Sequence, residues 1–151
     1  MSKVEFKLSE LGIKLEEPKV AVANYLGTKC VGDLLFVSGR KSELSGTVGK
    51  SVNEEQAKKA ARDTVTLLLS IIKNDIKNLD LIESIVKVQG FIRSSKKFKR
   101  QPQVLDGASE LLIELFGENG RHARTATGVN QLPYGATIQL DMILKLKSSA
   151  V

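Results

Sequence analysis

Alternating hydrophobicity near the C-terminus is the feature that most constrains the fold of this chain. Within residues 136–147 every second side chain is apolar and most of those between are polar, with Ile143 as an exception. The apolar positions are Ile138, Leu140, Met142, Leu144 and Leu146. Successive side chains of a β-strand point to opposite faces of the sheet. The pattern therefore predicts a strand with one buried face and one largely polar face.

Segments with helical spacing alternate with further strand patterns over the rest of the chain. Apolar residues recur every three or four positions after Ser51 or Asn53, either of which can cap a helix, and again over residues 102–116. In chain order we predict a short helix over 4–15, strands over 25–31 and 34–37 joined at Gly32 and Asp33, the helix after Asn53, a strand over 81–93, the helix over 102–116, and strands over 123–129 and 136–147. In the strand over 81–93, the side chains predicted to share one face are Val86, Val88, Gly90 and Ile92.

This order of elements predicts the architecture. Two strands, a helix, a strand, a helix and two strands form a mixed sheet with both long helices on one face. The opposite face would stay uncovered in a single copy, and such a face usually finds a partner. We therefore expect one α+β domain over residues 1–151, with a core at about 18–147 and an N-terminal helical extension over 1–17, that forms oligomers.

Composition argues against several classes of protein. No run of 18 or more apolar residues is present, so the sequence predicts no membrane span. The first residues lack the long apolar core of a secretory signal. Cys30 is the only cysteine, which rules out an internal disulfide and argues against a cysteine-based metal site. We expect Cys30 to be a small buried side chain in a strand, and the protein to be cytoplasmic.

A basic segment over residues 93–100 carries much of the net charge of +6. Phe98 stands among its lysines and arginines, and an aromatic ring in such a place is able to stack on a nucleic-acid base. The other interpretation is a solvated loop that leads into the helix over 102–116, and we prefer it. Nucleic acid is therefore not the expected partner.

Arg124 has unusual neighbours for a charged residue. It lies in a short predicted strand of small residues, where Arg124, Ala126 and Gly128 face the same way. A guanidinium in such a place is costly unless an anion or another acceptor pairs with it, and its planar fork suits a carboxylate. Two interpretations remain open, a site for a ligand's acid group and an internal salt bridge to a carboxylate such as Asp141.

His122 is the only histidine of the chain. A Ser-His-Asp triad or a histidine-rich metal site therefore has little to build from. The preferred interpretation is that His122 caps or packs near the start of the strand over 123–129. The alternative is that it contributes to a ligand pocket beside Arg124.

Three separated motifs resemble the YjgF/YER057c/UK114 family, also called the Rid (reactive intermediate deaminase) family, whose older name is endoribonuclease L-PSP. The motifs are Ala-Asn-Tyr at 23–25 followed by Leu-Leu-Phe-Val-Ser-Gly-Arg at 34–40, Val-Lys-Val-Gln-Gly-Phe-Ile at 86–92, and Ala-Arg-Thr-Ala-Thr-Gly-Val at 123–129 followed by Gln-Leu-Pro-Tyr-Gly-Ala-Thr-Ile-Gln-Leu at 131–140. The likeness covers about residues 18–147. The longer N-terminus and residues 107–112 are most similar to the branch called YjgF-like group 1.

The resemblance implies a chorismate-mutase-like α+β fold that assembles as a homotrimer, with sheets inside, helices outside and clefts between subunits. It implies the hydrolysis of reactive enamines and 2-imino acids, of the 2-aminoacrylate type, to 2-keto acids and ammonia. No metal and no organic cofactor are implied. The expected ligand is a small carboxylate, a 2-imino or 2-keto acid.

The resemblance also carries roles to individual residues. Arg124 matches the arginine that holds the substrate carboxylate, and its neighbour Thr125 is placed with it in the binding set. Tyr25 matches the tyrosine that lines the cleft, and the remaining matches to substrate-binding positions are Ser38, Gly39 and Arg40. Arg40 lies where the archetype often has a glutamine.

The chain departs from the family archetype at two positions. Gln139 replaces the glutamate that orients the attacking water, and Ala126 replaces a cysteine. An amide holds a water by hydrogen bonds but cannot accept a proton. Asp141 lies two residues further along the chain, on the same predicted strand face, and is the candidate substitute for that glutamate.

Three functions follow from these observations. The preferred one is an imine deaminase in which Arg124 holds the carboxylate and Gln139 lies at the reacting end. The second is a trimeric module that binds or senses small carboxylates without chemistry, which the Gln139 substitution favours. The third is RNA binding or endoribonuclease activity, based on the family's older name and the basic segment.

Overall fold

The computed structural model describes residues 1–19 and 24–148 of the chain. Its helices and strands are α1 (Lys3–Glu10), β1 (Thr28–Val31), β2 (Leu34–Lys41), α2 (Glu54–Ile76), β3 (Ile82–Arg93), α3 (Gln101–Phe116), β4 (Ala123–Val129) and β5 (Ile138–Leu146). Ala23, at the start of the first family motif, lies outside the described residues. No described helix is long and apolar enough to cross a membrane.

The strands form one five-stranded sheet in the order β1-β2-β5-β3-β4. β3 and β4 run parallel, and the other neighbouring pairs are antiparallel. α2 packs on the β1–β2–β5 side of the sheet and α3 packs on β3 and β4, so both long helices cover the same face. This arrangement confirms the predicted mixed α+β sheet, and we call the other side of the sheet the open face.

β5 confirms the strand predicted from the alternating hydrophobicity of residues 136–147. Its five apolar positions from Ile138 to Leu146 are all buried beneath the helices. The alternate side chains point to the open face and are half-buried, namely Gln139, Asp141, Ile143 and Lys145. One face of this strand is therefore part of the core, and the other is covered by nothing within the described chain.

β3 departs from simple alternation near its start. Its pairing with β5 shifts register between Ile85 and Lys87, and Val86 is exposed while Val88 is buried. The prediction that Val86 shares a face with Val88 was therefore wrong. An extra residue in one strand reverses the direction of the side chains that precede it.

The close contact of α2 and α3 depends on Gly107. A Cβ at this position would overlap the backbone carbonyl of Lys58 on α2. Two helices approach this closely only where one of them has no side chain at the crossing. Gly90 plays a related part in β3, because a Cβ there would meet the side chain of Leu105 on α3.

The predicted helix over 4–15 is shorter than expected. Ser2 and Glu5 form a capping box at the start of α1, and the helix ends at Glu10 because Gly12 adopts a left-handed conformation. The amide of Ile13 then donates to the carbonyl of Leu8, which closes a Schellman motif. Asp80 anchors α1 to the domain by accepting from the amides of Lys3 and Val4.

The hairpin of β1 and β2 turns at Gly32 and Asp33 as predicted, with Val31 opposite Leu34. β1 begins at Thr28 rather than at Tyr25, and β2 continues to Lys41. Cys30 is exposed, so the expectation of a buried cysteine was wrong. β1 is one of the two edge strands of the sheet, and its last three side chains are all exposed.

Candidate functional site

The predicted site residues do not form one group within a single chain. Arg124 lies at the β4 edge of the sheet, on the side of α3. Tyr25 and Arg40 lie near the opposite edge, beside β1 and the end of α2. Gln139 points to the open face of the central strand β5. The sheet therefore separates residues that the family resemblance places around one ligand.

Arg124 is held by the side chains and backbone of α3. Its Nη1 donates to Oδ1 of Asp106 at 2.7 Å and to Oγ of Ser109 at 3.2 Å. Its Nη2 donates to the carbonyl of Pro102 at 3.3 Å. The internal salt bridge that the sequence left open is therefore present, but its partner is Asp106 and not Asp141. Asp141 is excluded because its side chain lies on the opposite face of the sheet.

The guanidinium retains capacity for a ligand. It carries five N–H donors, and the three bonds to Asp106, Ser109 and Pro102 use two on Nη1 and one on Nη2. The Nε–H and the second Nη2–H have no partner among the described residues. Asp106 contacts it through one oxygen only and is itself 43% exposed, so the ion pair is neither bidentate nor sealed from water.

His122 and Ser109 extend the arrangement beside Arg124. Nε2 of His122 lies 2.9 Å from Oγ of Ser109, and Nδ1 lies 2.7 Å from the carbonyl oxygen of Gly120. Burial lowers the pKa of His122, the bond to Gly120 opposes this, and the positive charge of Arg124 lowers the pKa further. We call Asp106, Ser109, His122 and Arg124 the β4-edge cluster.

A pocket of about 180 Å³ opens at this cluster, lined by Ser109, Ile113, Arg121, His122 and Arg124. Its size suits a small organic acid and not a long chain. Arg121 at its mouth is largely exposed and bonds Glu118. A larger pocket of about 410 Å³ lies between α1 and the segment that follows it, and it contains none of the predicted site residues.

The residues near the β1–β2 edge form a second group. Nη1 of Arg40 donates to the hydroxyl of Tyr25 at 2.6 Å, and the guanidinium carbon lies 5.3 Å from the centre of the Tyr25 ring. The hydroxyl of Ser38 donates to the carbonyl of Leu26 at 2.6 Å. Arg40 pairs with Leu140 across the sheet and therefore lies on the helix-covered face, like Arg124.

The remaining predicted residues lie towards the open face. Gly39 packs against Gln139, whose Nε2 would lie 3.5 Å from a Cβ at that glycine. Thr125 accepts a hydrogen bond of 2.9 Å from Nζ of Lys87. Burial raises the pKa of Asp141, and nearby Lys87 partly offsets this. Thr125 is adjacent to Arg124 in the chain, but successive side chains of a strand point to opposite faces.

Strand order sets the separation between the two groups on the helix-covered face. β5 and β3 lie between β2 and β4, and neighbouring strands are about 4.8 Å apart, so the strands that carry Arg40 and Arg124 are separated by roughly 14 Å. A ligand in the 180 Å³ pocket at Arg124 therefore does not reach Tyr25 or Arg40 of the same chain.

The basic segment over 93–100 is a loop that leads into α3, as preferred from the sequence. Phe98 packs against the hydrophobic core, so its ring is not presented to a base. Arg100 pairs with Glu54 of α2 at 2.6 Å. Within the described residues, no group of three or more His, Cys, Asp or Glu side chains is placed to hold a metal ion.

Two members of the β4-edge cluster were missed from the sequence, Asp106 and Ser109. A signal was present, because Pro102, Asp106, Ser109 and Ile113 recur at three- and four-residue spacing along one face of α3. That spacing predicts a common helix face, but only the packing of α3 against β4 shows that this face meets Arg124.

Comparison with known proteins gives consistent results. Residues 5–144 match the family described as "YjgF/chorismate mutase-like, putative endoribonuclease". Protein TCP17 of Trypanosoma cruzi is 35% identical over 97% of this chain and 96% of its own length.

Two solved structures are similar over almost their whole length. A protein of unknown function from Agrobacterium tumefaciens, Atu1372, is 33% identical with a TM-score of 0.89 over 96% of this chain and 93% of its own. A protein from Shewanella oneidensis described as a "putative endoribonuclease" is 28% identical with a TM-score of 0.90, over 95% and 99% of the two chains.

Proposed function

We propose that this chain, which belongs to the YjgF/chorismate mutase-like family, hydrolyses reactive 2-imino acids to 2-keto acids and ammonia. One observation carries the proposal. Arg124 is a partly buried arginine beside a small pocket, and two of its N–H donors are unused by the described residues. Two such donors on one planar group match the two oxygens of a carboxylate.

The guanidinium fixes the acid end of the substrate. A guanidinium carries a positive charge and only donates hydrogen bonds, so Arg124 selects an anion. α3 holds the side chain through Asp106, Ser109 and the Pro102 carbonyl, and its orientation is therefore set before a ligand arrives. A substrate that docks on the two free donors does not need to displace Asp106.

Clamping the carboxylate places the neighbouring C=N carbon within the pocket. Water adds to that carbon, the nitrogen takes up a proton, and ammonia leaves as the carbonyl forms. Simple imines already hydrolyse in water, so holding the reacting atoms in place supplies much of the acceleration. No metal ion or organic cofactor takes part in this scheme.

A second subunit completes the proposed site. The β4 edge carries Arg124, and the β1–β2 edge carries Tyr25 and Arg40 on the same helix-covered face. When copies join through two different surfaces in a closed ring, each interface brings one edge of a protomer to the other edge of its neighbour. A homotrimer of this kind places Tyr25 and Arg40 of one subunit opposite Arg124 of the next.

The first test removes the proposed clamp. Arg124→Ala should lower kcat/KM for an imino acid generated in situ by at least a hundredfold, about 2.7 kcal/mol of transition-state stabilisation. Arg62→Ala is the matched control, because Arg62 is also a partly exposed arginine paired with a carboxylate, Glu114, outside the site. Undiminished hydrolysis by the Arg124 variant would overturn the proposal.

The second test asks whether the site is shared between subunits. Arg124→Ala and Arg40→Ala should each be inactive alone. In a ring, every trimer that contains both variants has a single interface with both arginines intact, so random one-to-one mixing should restore about a quarter of wild-type activity. The absence of any restoration would show that the two residues do not act across an interface.

Binding without chemistry is the second candidate function. Gln139 favours it, because an amide accepts no proton and its side chain points away from Arg124 to the open face. A wild-type protein that binds a 2-keto acid, measured by calorimetry, but does not accelerate imine loss above the spontaneous rate would support this alternative. If that binding were lost in Arg124→Ala, the pocket beside Arg124 would still be identified as the place where the keto acid binds.

A further inference from the structure

Some groups of the β4-edge cluster only donate hydrogen bonds and others only accept them, and this fixes the direction of every hydrogen bond in the cluster. The carbonyl of Gly120 only accepts, so Nδ1 of His122 carries the proton in that bond. In the neutral ring Nε2 then holds a lone pair, and the hydroxyl of Ser109 must donate to it. Arg124 only donates, so Oγ of Ser109 accepts from Nη1.

From this geometry we propose that Ser109 and His122 form a proton relay for the water that attacks the substrate held by Arg124. The inference rests on the function proposed above and extends it, because it assigns the proton acceptor to the helix-covered face. Gln139 of the same chain points away from this pocket to the open face, and its amide accepts no proton. The relay residues and Arg124 all line the same pocket.

The hydroxyl of Ser109 has one acceptor position left for a water. A hydroxyl oxygen has two lone pairs, and Arg124 occupies one of them. A water in the pocket is therefore able to donate to Oγ while Oγ–H donates to His122. The bond from Arg124 also stabilises negative charge that develops on Oγ during transfer.

The relay conserves atoms and protons. As the water oxygen bonds to the C=N carbon, a water proton passes to Oγ of Ser109 and the hydroxyl proton passes to Nε2 of His122. The C=N electron pair moves to nitrogen, which receives the proton back from His122 along the same path. The remaining hydroxyl proton of the adduct then moves to nitrogen as the C–N bond breaks, releasing ammonia and leaving neutral His122.

The surroundings of His122 suit a proton acceptor at neutral pH. Arg121 and Arg124 flank it in the chain, and Asp106, the nearby acid, is bonded to Arg124. Burial and the charge of Arg124 lower the pKa of His122, so the neutral ring is favoured. A ring held neutral with its lone pair towards a hydroxyl is the arrangement that general-base catalysis uses.

The first experiment reads the proton position directly and needs no activity. The chain has a single histidine, so ¹⁵N-labelled imidazole gives one pair of nitrogen signals without assignment. We expect a neutral ring at pH 7 with the proton on Nδ1. A proton on Nε2 would overturn the relay, because that nitrogen could not accept from Ser109.

The second experiment tests the relay in turnover. His122→Ala should lower kcat for imine hydrolysis at least tenfold while the dissociation constant for a 2-keto acid stays within about twofold, because Arg124 remains. Added imidazole should restore part of kcat in His122→Ala and none in Arg124→Ala. Ser109→Ala should match the His122 variant, and Ser109→Thr, which keeps the hydroxyl, should retain most activity.

Ser70→Ala is the matched control for the serine variants. Ser70 is also a helical serine, and among the described residues its hydroxyl bonds only the carbonyl of Leu67 in its own helix. Full activity in His122→Ala alongside an active wild type would overturn the relay and leave the deaminase proposal intact. A wild-type protein without any acceleration would overturn the deaminase proposal and the relay together.

Discussion

The two faces of the sheet hold their polar groups in different ways. On the helix-covered face, the β4-edge cluster forms a directed series of hydrogen bonds in which the acceptor and donor roles of each member are fixed. On the open face, the amide of Gln139 makes no side-chain hydrogen bond to a described residue, and Asp141 is half-buried with a raised pKa.

The difference shows what each face is prepared for. The cluster beside α3 is organised within a single chain, since its members come from α3, from β4 and from His122 just before β4. The open face combines half-buried apolar groups with incompletely bonded polar groups, and such a surface gains stability when another surface covers it. We therefore place the chemistry on the first face, and we expect assembly to cover the second face in addition to joining the edges of neighbouring sheets.

The largest expected effect concerns two neighbouring residues of β5. Leu144 is fully buried beneath the helices, whereas Ile143 is half-buried on the open face. Leu144→Ala should lower the free energy of unfolding by about 2–5 kcal/mol, and Ile143→Ala by about 1 kcal/mol in the dissociated chain. Urea titrations at low protein concentration measure the free energy of unfolding of the wild type and of each variant. Equal losses would mean that the open face is already covered under those conditions.

A smaller effect, on ligand affinity, is expected from removing the carboxylate that pairs with Arg124. Asp106→Ala removes a negative charge that competes electrostatically with an anionic ligand for the guanidinium, although the ligand docks on other N–H donors. Partly exposed ion pairs contribute up to about 1 kcal/mol, so a 2-keto acid should bind roughly three to five times more tightly. Calorimetry measures this change, with Glu110→Ala as a control on the same helix, since Glu110 pairs with Lys58. Weaker binding in Asp106→Ala would mean that Asp106 positions the arginine more than it competes.

The smallest effect concerns Asp141. Burial raises the pKa of this carboxyl in the folded chain above its usual 3.8, so the folded state holds the proton more readily than the unfolded state. Its favourable contribution is complete below the unfolded pKa and is lost as the pH rises through the folded pKa. At pH 7, Asp141→Asn should therefore raise the free energy of unfolding, by less than about 1 kcal/mol because the group is half exposed.

Urea titrations of wild type and Asp141→Asn across the acidic range test this sign. The advantage of the variant should shrink as the pH falls through the raised pKa towards 3.8. An advantage that grows on acidification would show that the attraction of Lys87 outweighs burial. A larger advantage at high protein concentration would indicate that assembly buries Asp141 further.

Local patterns in the sequence were sufficient to predict most secondary structure. The strand over 123–129 matches β4 at both ends, the helix over 102–116 matches α3 within one residue, and β5 buries the alternate side chains that its pattern indicates. Two of the errors lie where one residue changes the geometry, at the register shift after Ile85 and at Gly12 after α1. Neither interrupts the hydrophobic periodicity from which the prediction was made.

The sequence predicted only some of the residues of the site. Arg124 stood out because a charge among small strand residues needs an anion, and the sequence left open whether that anion is a ligand's acid group or an internal carboxylate. Its actual partner, Asp106, is on α3, and pairing across that distance in the chain depends on how the helix docks. The role of His122 likewise required the position of Ser109, although its place beside Arg124 in the chain had suggested a pocket.

The sequence by itself determined which side chains of β5 alternate, where the helix over 102–116 begins and ends, and that one arginine requires a counterion, because these properties depend on neighbours within a few residues. Only the tertiary structure decided that Arg124 and Gln139 lie on opposite faces of the sheet and that α3 brings Ser109 to His122. Strand order and helix docking bring together residues that are distant in the chain, and no local pattern records which of them will meet.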